Sequence, residues 1–290
     1  MMQHNSFLKN GKTIINTHLK ANHKIIAYEI LAWFVLVVVN LFLTLLNDHI
    51  TIMPVTGEGY KQSLSYILGS IVLSPIAIVG FSIICTSIID YVIRREIREG
   101  YITLWMTSSI SRTQIMMSKI IFIWLVNLMV LAPTIVPIVI FSAIATDAHL
   151  YIGDVFLQLF LFTIYMLMFT GVFVLLSTLL TEKERLDKFV IGGVILYVVA
   201  TTMINNLSES KTFGHLQWMK YIKYISIQSL LVNVFAFELV VSDTEKNVVK
   251  LIMLKPQTWW IITSVFINLG LGTVITWLTV WNFKHKEFMI

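Results

Sequence analysis

Long apolar runs separated by short polar loops set the pattern of this chain. Runs of about the 20 apolar residues that a helix needs to cross a bilayer lie at 26–47, 64–89, 118–146, 155–181, 188–206 and 257–283. The pattern predicts an all-α integral membrane protein with six transmembrane helices, a single transmembrane domain over residues 1–290. Pro133 and Pro137 fall inside the third run, where membrane helices tolerate kinks if neighbours satisfy the freed carbonyls. Trp259 and Trp260 open the sixth run, and Trp277 and Trp281 lie near its end, at the interfacial depths that suit amphipathic rings.

The polar segments carry their own order. Phe7, Leu8, Ile14, Ile15 and Leu19 recur at helical spacing, with Lys9, Lys12, Lys20 and Lys24 among the residues between. This predicts an interfacial amphipathic helix over 1–25 that turns into the first span; an unstructured basic tail is the alternative. Between the second and third runs, at 90–117, Ile93, Ile97, Tyr101 and Leu104 are spaced to share one helix face, and Arg95 can pair with Glu99 one turn on. Gly100 weakens the middle of that helix by about 1 kcal/mol relative to Ala. Thr107, Ser108 and Ser109 interrupt it, and a new helix starts at Ser111, which has capping-box spacing to Gln114, with Ile110 and Ile115 spaced as a hydrophobic staple. Helix, break and capped helix make a rigid elbow. Residues 207–256 read as an extracytoplasmic segment: its apolar stretch YISIQSLLVNVFAF is too short to cross and predicts short re-entrant or extracytoplasmic helices.

Composition fits a membrane setting. The 290 residues are 57% hydrophobic and 13% charged, with a mean hydropathy of +0.81, whereas soluble domains run nearer a quarter charged. The net charge of +5 reflects cations kept on cytoplasmic loops and not nucleic-acid binding. Those cations alternate: Lys9 to Lys24 before the first span, Arg94, Arg95, Arg98, Arg112 and Lys119 after the second, Lys183, Arg185 and Lys188 after the fourth, Lys284 and Lys286 after the sixth. Both termini are therefore expected in the cytoplasm. The lysines of 207–256 run against the rule, which long loops follow poorly. The first 25 residues are polar, without the short apolar segment of a cleavable signal peptide.

Candidate chemistry is sparse. Gly11-Lys12-Thr13 lacks the earlier glycine and the preceding strand of a phosphate-binding loop. The seven His are scattered, the lone Cys85 cannot form an intrachain disulfide, and no metal site or nucleophile elbow is expected. Asn40, Asn127, Gln158 and Asn268 are the polar residues within spans; they either bond across helices or line a substrate path. Ionisable groups are nearly absent from the spans, which points to an energy source outside the chain.

The elbow sequence, REIREGYITLWMTSSISRTQIMMSK, resembles the cytoplasmic coupling region of permease subunits in ABC transporters of the type-2 exporter kind. Those commonly read Glu, three residues, Gly-Thr, a run of Leu, Ser-Pro, one residue, Ser-Arg and a later Lys. Glu96, Gly100, Leu104, Ser108, Ser111, Arg112 and Lys119 occupy matching places, while Tyr101 stands where Thr is usual and Ser109 where Pro is usual. The resemblance implies a non-catalytic permease of a bacterial cytoplasmic membrane, similar to the staphylococcal exporters of phenol-soluble modulins. ATP and Mg would be bound by a separate ABC ATPase, and a second copy or a paralogous permease would complete the path. The ATPase-coupling residues it implies are Arg95, Glu96, Glu99, Gly100, Leu104, Trp105, Met106, Ser111 and Arg112, with Trp105 as an interfacial belt residue in the alternative. The cargo would be hydrophobic or amphipathic: a peptide toxin, a lipid or a drug. A membrane scaffold or immunity protein that binds a toxin without transport is the alternative function.

Overall fold

The apolar runs fold as long helices in the computed structural model, which describes residues 2–46, 75–108, 110–144, 152–181, 183–209, 226–232, 234, 236–243, 248–254 and 256–286. In chain order these are α1 (Met2–Leu46), α2 (Pro75–Ile89), a π-helical turn (Asp90–Arg94), α3 (Arg95–Arg98), α4 (Ile102–Met106), α5 (Arg112–Ile144), α6 (Ile152–Leu180), α7 (Glu184–Glu209), a 3-10 turn (Ile227–Leu230), β1 (Ala236–Asp243), β2 (Val248–Leu254) and α8 (Thr258–His285). Among the described residues, five stretches are helical, long and apolar enough to cross a membrane: Lys9–Phe42, Ala77–Arg98, Arg112–Phe141, Ile152–Leu180 and Thr258–His285. α7 carries a shorter apolar stretch, Lys188–Thr201. The early part of the second run (64–74) lies outside the described residues.

α2 and α6 are the inner helices, α1 lies along α5, and α8 lies along α6. The outer helices are inside-out relative to a soluble protein. α8 buries Ser264, Asn268, Thr279 and Phe283 while Trp259, Ile262, Phe266, Leu269, Val274 and Trp277 face outward. A surface that apolar is stable against hydrocarbon and not against water. Inside, Trp33, Phe81 and Phe162 meet edge to face, with centroids 5.2 and 6.4 Å apart. Small residues let α6 and α8 approach: a Cβ on Gly171 would stand 3.4 Å from Ile275, and one on Gly272 would stand 3.8 Å from the Met168 backbone.

Polar groups within the spans satisfy one another. Asn127 on α5 donates from Nδ2 to the Thr170 hydroxyl on α6 at 2.8 Å, and the Cys85 thiol on α2 lies 3.5 Å from Asn127 Oδ1 and 3.3 Å from Thr170 Oγ1. At the other end of α6, Gln158 Oε1 accepts the Val234 N–H at 2.8 Å, while Ser264 Oγ and Asn268 Nδ2 of α8 donate to the Leu230 carbonyl at 2.6 and 2.9 Å. Val232 and Val234 pack with Leu161 beneath. The segment after the 3-10 turn is thus pinned to the N-terminal ends of α6 and α8.

Two sequence expectations change. The amphipathic helix at 1–25 does not turn into a separate span, because α1 runs unbroken to Leu46. Ile14, His18, Ile26, Trp33, Val37 and Leu41 form one buried stripe through both parts, so a single rod buries both. Among the described residues of 207–256, a 3-10 turn and a β-hairpin stand where short helices were expected, while 210–225 lie outside the described residues. Valine pairs at 240–241 and 248–249, bracketing the polar Ser-Asp-Thr-Glu-Lys-Asn stretch, suit strands and a turn better than a helix.

Gly171→Leu is expected to force α8 off α6 and cost about 1–3 kcal/mol by overpacking. Gly270→Leu, whose added carbon meets no atom within 4 Å, should leave stability unchanged. Thermal unfolding of the two variants in detergent checks the pair.

Candidate functional site

The elbow is built from the backbone outward. α2 widens into the π-helical turn Asp90–Arg94 and continues as α3. Gly100, at φ +75°, then stops it in a left-handed conformation that only glycine adopts without strain. The Thr103 N–H and hydroxyl both bond the Gly100 carbonyl, at 3.0 and 2.7 Å, and start α4. At its end the Thr107 and Ser108 hydroxyls donate to the Leu104 and Trp105 carbonyls, at 3.1 and 2.5 Å. α5 opens with a reciprocal capping box: the Gln114 N–H donates to Ser111 Oγ and the Ser111 N–H donates to Gln114 Oε1, each at 3.2 Å. Ile110 and Ile115 both join the core. Ser109 lies outside the described residues.

A buried ion pair fastens this elbow to the body. Lys119, fully buried on α5, donates from Nζ to Glu96 Oε2 and to the Val92 carbonyl, both at 2.5 Å. His18 of α1 stands 3.5 Å from the other Glu96 oxygen. Its ring stacks on Trp105 at 6.0 Å and leans on Phe122 at 5.4 Å. The buried Arg94 reaches Ser177 on α6 at 3.3 Å and Asp90 at 3.3 Å, and Arg98 reaches the same Asp90 oxygen at 3.5 Å. Next along α6, the Thr178 carbonyl accepts Lys286 Nζ at 2.8 Å. The Lys286 and Lys284 carbonyls accept Arg112 Nη1 at 2.9 and 3.3 Å. These links form a closed circuit: π turn to α6, α6 to the end of α8, that end to the start of α5, and α5 through Lys119 back to the π turn.

The residues expected to couple to an ATPase divide into outward and inward sets. Arg95 and Glu99 are exposed and pair at 2.8 Å, an arrangement worth little in water. Leu104 is 68% exposed, and Tyr101 beside it is 53% exposed. Glu96 faces the body. Trp105 and Met106 are half-buried against the core, with Trp105 on His18. Ser111 caps α5, and Arg112 holds the end of α8. The single helix face drawn through Ile93, Ile97, Tyr101 and Leu104 does not persist. Positive φ at Gly100 resets the helical phase, so Ile102 is buried in place of Tyr101 and Leu104. Of the span residues, Asn127, Gln158 and Asn268 are buried in the cross-element bonds above, and Asn40, half-buried, donates to the Leu36 carbonyl at 2.8 Å.

Sequence reasoning left Arg94, Asp90, Ser177, Lys286, Lys119 and His18 out of the site, and for Lys119 and His18 the signal was phase. Lys119 repeats with Ile115, Phe122 and Val126 on the buried face of α5, and His18 falls one turn after Ile14. A charged residue in phase with a core stripe demands a buried partner. Among the described residues no cluster of His, Cys, Asp and Glu is placed to hold a metal ion. Neither protein-family models nor curated proteins show a match to this sequence. Fold and site together define a helical, multi-pass membrane protein whose helix ends are tied at one side by a polar circuit.

Lys119→Met is expected to strand Glu96 beside apolar neighbours and to cost about 3–5 kcal/mol, whereas Lys119→Met with Glu96→Leu should recover most of that loss. Gly100→Ala should cost about 1–2 kcal/mol through its left-handed backbone alone, since its added carbon meets nothing within 4 Å. Unfolding in detergent, followed by tryptophan emission, distinguishes these outcomes.

Proposed function

We propose that the chain is the permease subunit of an ATP-driven exporter of the type-2 ABC kind, which moves a hydrophobic or amphipathic cargo (a peptide toxin, lipid or drug) out of a bacterial cell. The observation that carries this reading is the elbow. Its tip, Tyr101 and Leu104, is exposed, while its root is tied to α1, α5, α6 and α8 through Glu96, Lys119, Arg94 and Arg112. A force applied to such a tip moves helix ends, and a floppy loop could not pass it on. The sequence resemblance supplies the rest of the reading: the chain hydrolyses nothing, ATP and Mg sit on a separate ATPase beneath the elbow, and a second copy or a paralogue completes the path.

The reading places six crossings in a bacterial cytoplasmic membrane with both termini in the cytoplasm, and the arrangement of helix ends supports an even number of crossings. The N-terminal part of α1, the elbow, the C-terminal end of α6 and the C-terminal end of α8 meet in one circuit. Segment 227–234 is pinned at the opposite end of α6. In this reading α7 (Glu184–Glu209) carries the chain from one end to the other. α7, at 26 residues, is about 39 Å long at 1.5 Å per residue and can span that distance.

The test is co-purification with ABC ATPases of the same genome, followed by their ATP turnover. Tyr101→Ala with Leu104→Ala is expected to lose the ATPase and the stimulated turnover while the unfolding temperature holds. Trp105→Ala should lower that temperature, because its ring packs on His18. Retention of a fully active ATPase by the tip variant would refute the reading. Tight toxin binding by the lone chain, with no ATPase recovered, would favour a scaffold or immunity protein.

A further inference from the structure

The β-hairpin has one wholly apolar face. Its antiparallel register sets Phe237 opposite Met253, Leu239 opposite Leu251 and Val241 opposite Val249. Successive strand residues alternate faces, so these residues share one face, and Glu238, Val240, Lys250 and Ile252 share the other. Such a hairpin has conflicting needs. Two strands alone are marginal in water, where the apolar face stays uncovered. Among the described residues each strand pairs only with the other, and outer-edge N–H and C=O groups without partners cannot be carried into hydrocarbon. The boundary between headgroups and acyl chains satisfies both, with lipid under the face and water along the edges.

Both flanks of the hairpin sit at the same end of the helical bundle, near the starts of α6 and α8. Val234, shortly before β1, is fixed to Gln158 at the start of α6. α8 begins at Thr258, shortly after β2, and its second residue, Trp259, is 60% exposed, with the ring type that settles at membrane interfaces. The sequence adds Lys246, Lys250 and Lys255, which suit anionic headgroups.

We propose that this hairpin lies flat on the bilayer surface opposite the elbow as an interfacial anchor, with the Phe237–Leu239–Val241 face on the acyl boundary and Lys250, on the other face, towards anionic lipid phosphates. The inference rests on the membrane setting and is independent of transport.

The experiment uses the full chain with Cys85→Ser and single Cys substitutions at 237 to 241, each carrying an environment-sensitive fluorophore. The protein is placed in nanodiscs of phosphatidylglycerol and phosphatidylcholine whose acyl chains are brominated near the carbonyl. The expected result is quenching at 237, 239 and 241 and its loss at 238 and 240, with weaker quenching when phosphatidylcholine replaces all phosphatidylglycerol. Three results would overturn the proposal: no quenching anywhere, equal quenching at every position, or lipid-independent shielding with disulfide cross-links between copies at Leu239→Cys. The unmodified chain provides a second readout, with a diazirine on the acyl chain of the same lipids. Adducts on the peptide holding Phe237 to Val241 are expected, and their absence contradicts the proposal even if labelling perturbs the hairpin.

Discussion

The contact between Lys119 and Glu96 constrains everything at the elbow end of the molecule. A fully buried ammonium is tolerable only with a carboxylate and further acceptors around it, and Glu96 and the Val92 carbonyl supply them. Those partners come from α3 and the π-helical turn, so α5 cannot bury its face unless the elbow is seated. α1 enters the same arrangement through His18, which packs between Trp105 and Phe122. The elbow is therefore part of the core at its root and surface only at its tip.

The same demand for partners turns the polar groups of the spans inward, among a largely apolar core, and leaves apolar side chains on the outside. Asn127, Thr170 and Cys85 satisfy one another where three helices meet, while α8 gives its tryptophans and leucines to the outside. Since lipid offers no hydrophobic drive for helix association, close approach at Gly171 and Gly272 and these hydrogen bonds hold the bundle. The polar circuit at one end and the Gln158–Val234 and Asn268–Leu230 bonds at the other fix the ends against each other.

Much of this was legible in the sequence. Run length located the helices now seen in α1, α2, α5, α6 and α8, and residue spacing located the Ser111–Gln114 box and the Arg95–Glu99 pair. Local rules succeed there because partners lie within one turn. They failed where the outcome depended on distant contacts or on one dihedral angle. Gly100 read as a weak spot in a helix, yet its positive φ ends that helix and turns Leu104 outward. Lys119 matched a motif position, but its partners lie 23 and 27 residues away, beyond any local pattern. α1 lost its expected turn because one stripe packs on α5 along its length. The hairpin lies almost wholly beyond the apolar stretch YISIQSLLVNVFAF, and its short valine-containing strands are identified only once their pairing is known.

The most direct measurement is amide hydrogen exchange over residues 95–108 in the reconstituted protein, compared between the native chain and Glu96→Gln. If the buried pair seats the elbow, the native amides of α3 and α4 exchange as slowly as the first turns of α5, and the substitution releases them together. Fast exchange in the native chain, or slow exchange that Glu96→Gln leaves untouched, would contradict the account.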